Sequence, residues 1–169
     1  MFTKVQDFLE FYEGESAATA KVLGALTDES LSREKAAGHN TVGDIAWHIA
    51  TAPLYMLSQV GFSFDPAQEQ KPAKLSLEQI KQIHDKVSAE VKAQAAAKTP
   101  EELAKTYRVF GMADWSAATM MTVLLHHEIH HRGQLSVLMR QAGLVVPGIY
   151  GPTKEVSVED MRKKAEEAG

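Results

Sequence analysis

The chain has 169 residues, 44% of them hydrophobic and 24% charged, with a formal net charge of −4 and no cysteine. That length suits one buried core, so a single domain over residues 1–169 is expected. Lack of cysteine excludes disulfides, thiolate nucleophiles, iron–sulfur clusters and cysteine-ligated zinc, so a metal here is expected to rest on histidine, carboxylate and water. The acidic balance and scattered Lys and Arg exclude a dominant nucleic-acid surface. Met1-Phe2-Thr3-Lys4 leads straight into an amphipathic pattern, and no apolar run is long enough to cross a bilayer, so a cytoplasmic protein without membrane attachment is expected.

Apolar residues at Val5, Phe8, Leu9, Tyr12, Ala17, Ala20, Leu23 and Leu26 recur at helical spacing and predict a first helix. Thr27-Asp28-Glu29-Ser30 breaks it, and a short turn within 31–37 precedes the Gly38-His39-Asn40 loop. Thr41 with Asp44 reads as an N-cap for a second helix ending near Gly61, with Pro53 inside it and His48 near the apolar arc of Ile45, Ala52 and Tyr55. Ser76 and Gln79 have capping-box spacing and open a third helix to about Lys98, on which His84 falls off the apolar stripe and reads as solvated. Residues 105–110 alternate like a short extended segment. Asp114 or Ser116 caps a fourth helix over 117–141, closed by Gly143. A strap punctuated by proline and glycine, residues 144–152, then leads to a charged tail or short helix over 154–169. Four long helices joined by short-to-medium connections predict an all-α antiparallel four-helix bundle with a short C-terminal helix.

Four of the seven histidines crowd into His126-His127-Glu128-Ile129-His130-His131. Residues four apart share a helix face, so His127 and His131 can reach one ion, while His126 and His130 form a second pair rotated by about 100°. Two histidines from one helix and one from another leave an open coordination position, the pattern of a catalytic metal, and His48 on the second helix satisfies this on paper. The alternative from spacing alone is a set of surface or interface histidines. The same segment matches H-E-x-x-H, the zinc-protease pattern, with Glu128 as general base and Glu155 or Glu159 as third ligand. No extended sheet to align a peptide is expected beside it. Gln134 and Asp44 are candidates to fix an imidazole tautomer, and Tyr55 and Tyr150 read as packing residues that can border a pocket.

The run from His127 to Leu135, followed by 138–143, Pro147 and Tyr150-Gly151-Pro152, resembles the C-terminal signature of the DinB-like proteins, and Asp44-Ile45-Ala46-Trp47-His48-Ile49-Ala50 resembles their second-helix motif. The resemblance spans most of residues 1–152 and implies a four-helix bundle with a divalent metal, commonly zinc or nickel, held by three histidines that fall here at His48, His127 and His131. It also implies a homodimer acting on a small molecule, with activities in the family that include transfer of a low-molecular-weight thiol. A metal-dependent hydrolase of a small substrate and a non-catalytic, metal-stabilised dimeric bundle are the alternatives. A dimeric interaction module with vestigial histidines is a further one. The charged C-terminal helix departs from the family pattern.

Overall fold

Side-chain caps determine where most helices begin. The computed structural model describes Phe2 and residues 4–167; Met1, Thr3 and the last two residues of the expected charged tail lie outside the described residues. Helix α1 is Val5–Gly24. Helix α2, Val42–Ser58, starts where the Asp44 N–H donates to Thr41 Oγ1 at 3.0 Å and the Thr41 N–H donates back to the Asp44 carboxylate at 2.8 Å. These reciprocal bonds satisfy donors that helix geometry leaves without partners. Ser76 and Gln79 do the same for α3, Leu77–Ala96, and Thr99 with Glu102 for α4, Pro100–Ala104. Strands β1, Thr106–Val109, and β2, Ala113–Ser116, follow. Ser116 rather than Asp114 caps α5, Ala117–Gln141, by accepting from the Thr119 N–H at 3.1 Å. A short α6, Val158–Glu167, ends the described chain.

The four-helix bundle read from the sequence is what forms. One apolar cluster gathers Phe8 and Tyr12 of α1, Leu54 and Leu57 of α2, Val87 and Val91 of α3, and Met120, Met121 and Leu124 of α5. The other gathers Val22 and Leu23, Ile45 and Ile49, Ile80, and Leu135 and Leu138. Because the first cluster takes early residues of α1 and α5 but late residues of α2 and α3, the helices run two one way and two the other. Helices α1 and α2 each pack on α3 and α5 and so occupy opposite corners. The pairs α1/α3 and α2/α5 are antiparallel, while α2 and α3 run alongside each other, so the connection 59–76 must return the length of the bundle. Among the described residues no helix is long and apolar enough to cross a membrane.

Two details differ from the sequence reading. The extended segment gains a partner: β1 and β2 pair antiparallel from Thr106 with Ser116 to Val109 with Ala113. At four residues, β2 is too short to show a period, and Asp114 and Ser116 read equally well as caps. The hairpin sits on the end of α2, where Gly61 has φ +82° and a Cβ would lie 2.7 Å from the Tyr107 hydroxyl. The second difference is His84, which is 7% exposed rather than solvated. It stands beside Ser88, whose hydroxyl meets that of Ser16 at 2.6 Å between α3 and α1, so the interior at this level is polar and a histidine is tolerated inside. Burial lowers its basicity, partly countered by a contact with Asp85 at 3.1 Å.

Candidate metal centre

The two apolar clusters leave a gap at mid-height. On α5 the first ends at Leu125 and the second begins at Leu135, and the histidine-rich stretch fills the space between. Two sets of side chains leave this stretch in different directions.

His127 and His131 face α2 and meet His48. The Nε2 atoms of His48 and His127 are 3.2 Å apart, as are those of His127 and His131. A ligand nitrogen from each of the three lies within 4.8 Å of the others, and no other group of three or more His, Cys, Asp or Glu among the described residues meets this condition. Two nitrogens bound to one tetrahedral ion at about 2.0–2.1 Å would lie about 3.3 Å apart. The observed separations fit that edge length. Hydrogen bonding alone explains the cluster poorly, because His127 Nε2 is shared by two other nitrogens while its Nδ1 is buried without a partner among the described residues.

Electrostatics keep these rings neutral, the form that coordinates metal. Burial, reinforced by His131, His48 and His130, brings His127 down to about 4. Burial also lowers His48 and His131, with the charge of His131 adding to the effect on His48. Gln134, one turn beyond, accepts from His131 Nδ1–H at 2.9 Å, which leaves the Nε2 lone pair directed into the cluster. The Gln134 amide nitrogen donates to His130 Nε2 at 3.0 Å and is thereby held from both ends. This is the tautomer-fixing role expected of Gln134. Asp44 does not share it: its carboxylate serves the Thr41 cap and pairs with Lys71, and those bonds, the lysine first, hold it down at about 2. His126, His130 and His39 are exposed.

The second set, Glu128 and Arg132, points into the bundle on another face of α5. Arg132 is 2% exposed and donates to the Glu15 carbonyl at 3.0 Å, to Thr19 Oγ1 at 3.1 Å, and to the Glu15 carboxylate and Tyr150 hydroxyl. Tyr150 in turn donates to the Glu15 carboxylate, which draws the strap onto α1. Glu128 is 3% exposed, with Oε2 lacking a hydrogen-bond partner among the described residues. Burial pushes it up to about 8, opposed by Arg132 and assisted by Glu15. Tyr12 is raised by burial first and then by Glu128. Glu128 therefore belongs to the interior, not to the histidine cluster. The remaining ligands proposed for the protease pattern are engaged elsewhere, Glu155 with Arg140 and Glu159 with Lys163. The sequence reading missed the role of Arg132 and its partners. The signal available was the four-residue spacing of Glu128 and Arg132, which places both on one face.

A four-helix bundle with three histidines converging from facing helices defines a class of helical proteins whose core has a group that fits a metal ion. The chain belongs to the DinB family, whose model matches residues 1–164. It is 40% identical over 156 residues to the uncharacterized protein YrdA of Bacillus subtilis strain 168, covering 92% of this chain and 93% of that one. A DinB-like protein from Bacillus cereus ATCC 10987, known from a crystal structure, superposes with TM-score 0.82 at 39% identity, covering 89% of this chain and 100% of that one. Bacillus subtilis YfiT, described as a probable metal-dependent hydrolase with an unusual four-helix bundle topology, shares the fold with TM-score 0.58 at 17% identity, over 85% of this chain and 90% of its own.

Proposed function

We propose that this chain is a divalent-metal-dependent enzyme, with zinc or nickel held by His48, His127 and His131, that transfers a low-molecular-weight thiol to a small electrophile. The observation that carries it is the convergence of three neutral imidazoles from two facing helices, with no carboxylate in the group. A divalent ion there would act as a Lewis acid, lowering the pKa of a thiol or water at its open position. The chain's own part is to hold the rings. Helices α2 and α5 set the spacing, Gln134 fixes the His131 tautomer, and burial keeps His127 unprotonated. In the transfer, the thiol proton leaves to solvent, sulfur bonds to carbon, and the electrophile expels its leaving group. Because Glu128 faces the interior, no side-chain base is assigned to the step.

The test is metal content of protein purified without an affinity tag, followed by turnover of 1-chloro-2,4-dinitrobenzene with a panel of cellular thiols. Stoichiometric metal lost in His48→Ala and His131→Ala, with turnover that disappears on metal stripping, is expected; turnover surviving metal removal contradicts the mechanism. A second reading, hydrolysis of a small ester or amide, is favoured by the description of YfiT as a probable metal-dependent hydrolase. Metal-dependent cleavage of p-nitrophenyl acetate without added thiol would select it. The exposed outer face of α5, with Ile129 and Val137 beside His126 and His130, supports a homodimer, for which sedimentation velocity is the measurement.

A further inference from the structure

One residue breaks a local backbone rule two ring contacts away from the histidine cluster. Phe110, at the tip of the β1–β2 hairpin, has φ +49° and is the sole non-glycine residue with positive φ among the described residues. A bulky side chain is disfavoured there, and a position preceding Gly111 in a tight turn is one that Asn, Asp or Gly fills without strain. The structure holds the conformation in place: the Phe110 N–H donates to Gln59 Oε1 at 3.2 Å, and the Met112 N–H donates to the Val109 carbonyl at 2.9 Å. The strain does not serve core packing, since Phe110 is 42% exposed and Met112 is 75% exposed.

The tip is connected to the cluster. Tyr55 lies two turns after His48 on α2, half-buried, with its ring 6.2 Å from that of His48 and 6.0 Å from that of Phe110. An aromatic path thus runs from the histidines outward to an exposed ring.

We propose that Tyr55 and Phe110 form an apolar wall that binds the non-reacting, aromatic or branched apolar part of the substrate beside the histidine cluster, and that Phe110 is the specificity-determining residue. The proposal rests on the metal-dependent reading above, and its test separates the two. An apolar ring placed against Tyr55 and Phe110 would cover ring surface that is otherwise exposed to water, whereas a short polar substrate would leave it uncovered.

Two measurements test it. In metal-free protein, 2-phenylethanol is titrated while the ring resonances of Tyr55 and Phe110 are followed by NMR; saturable shifts of the Tyr55 signals are expected, and are lost in Phe110→Gly. In cobalt-substituted protein, the thiolate charge-transfer band is titrated with ethanethiol and with 2-phenylethanethiol. The wild type is expected to favour the aromatic thiol by about tenfold, and Phe110→Gly to abolish that preference with ethanethiol affinity unchanged. Glycine adopts this φ without strain, so the variant is expected to fold. Ring shifts without any thiol band would overturn the thiol-and-metal reading and uphold the wall. An undiminished aromatic preference in Phe110→Gly, absence of ring shifts, or a change of oligomeric state in that variant, which would assign the patch to a second copy of the chain, would overturn the wall.

Discussion

The two polar sites carried by one stretch of α5 have opposite characters. Arg132 is enclosed by acceptors of the chain itself and ties α5, α1 and the strap together. The histidines one residue earlier in each turn are half-buried, and their nitrogens point at one another. A rotation of about 100° between neighbouring helical residues separates the two. The difference teaches that one helix can carry a buried charge whose partners are all supplied by the chain and, one residue away, neutral nitrogens that converge on one another as a metal ion would require.

The sharpest way to break the comparison is Arg132→Met. Removing the guanidinium leaves the Glu15 carboxylate without its cation, and a loss of about 3–5 kcal/mol is expected in urea unfolding of metal-free protein. A loss below about 1 kcal/mol would reduce the network to a surface-type contact. On the other side, Gln134→Leu should weaken metal affinity by about 10–100-fold, read by competition with a chromophoric chelator, while unfolding of the metal-free form changes little. Gln134→Glu should restore most of the affinity, because a carboxylate also accepts from Nδ1–H.

His84 gives the comparison a pH dependence. Its folded-state basicity is depressed by burial, so between its folded and unfolded pKa values the unfolded chain binds more protons. Its contribution is complete above the unfolded value near 6.5 and is lost as pH falls through the folded value. His84 should therefore add a rising component to stability as pH climbs toward about 6.5, alongside the depressed cluster histidines and against the raised Glu128, and His84→Gln should remove that component. An unchanged slope would mean the proton is taken up elsewhere. The smallest effect is expected at the α2 cap, where Thr41→Ala should cost about 1 kcal/mol by thermal unfolding without altering metal content.

The sequence made the frame legible because caps are local. Thr41, Ser76 and Ser116 each announce a helix within four residues, and the period of the apolar positions names the inward faces. It also brought His48, His127 and His131 together, since four-residue spacing on one helix needs one partner across the bundle. What it could not show was which corner each helix takes. With α1 placed against α5, Thr19 and Glu15 meet Arg132, and His84 is enclosed rather than solvated. Such facts depend on neighbours far away in the chain. The hairpin was half legible for a similar reason: β1 alternates, but its pairing with β2 follows from a turn that holds phenylalanine where turn chemistry calls for another residue.

The hairpin also bears on the end of α2. It joins α3 to α5 at one end of the bundle, and although a Cβ added at Gly111 meets nothing within 4 Å, the φ of +70° there favours glycine. Of the turn residues, Phe110 is the one tied to α2, through its N–H to Gln59 and its ring against Tyr55, so an exchange of its side chain would act on that helix end first. The molecule thus keeps the three imidazoles on two long helices of the bundle and the strained turn on a separate two-stranded hairpin.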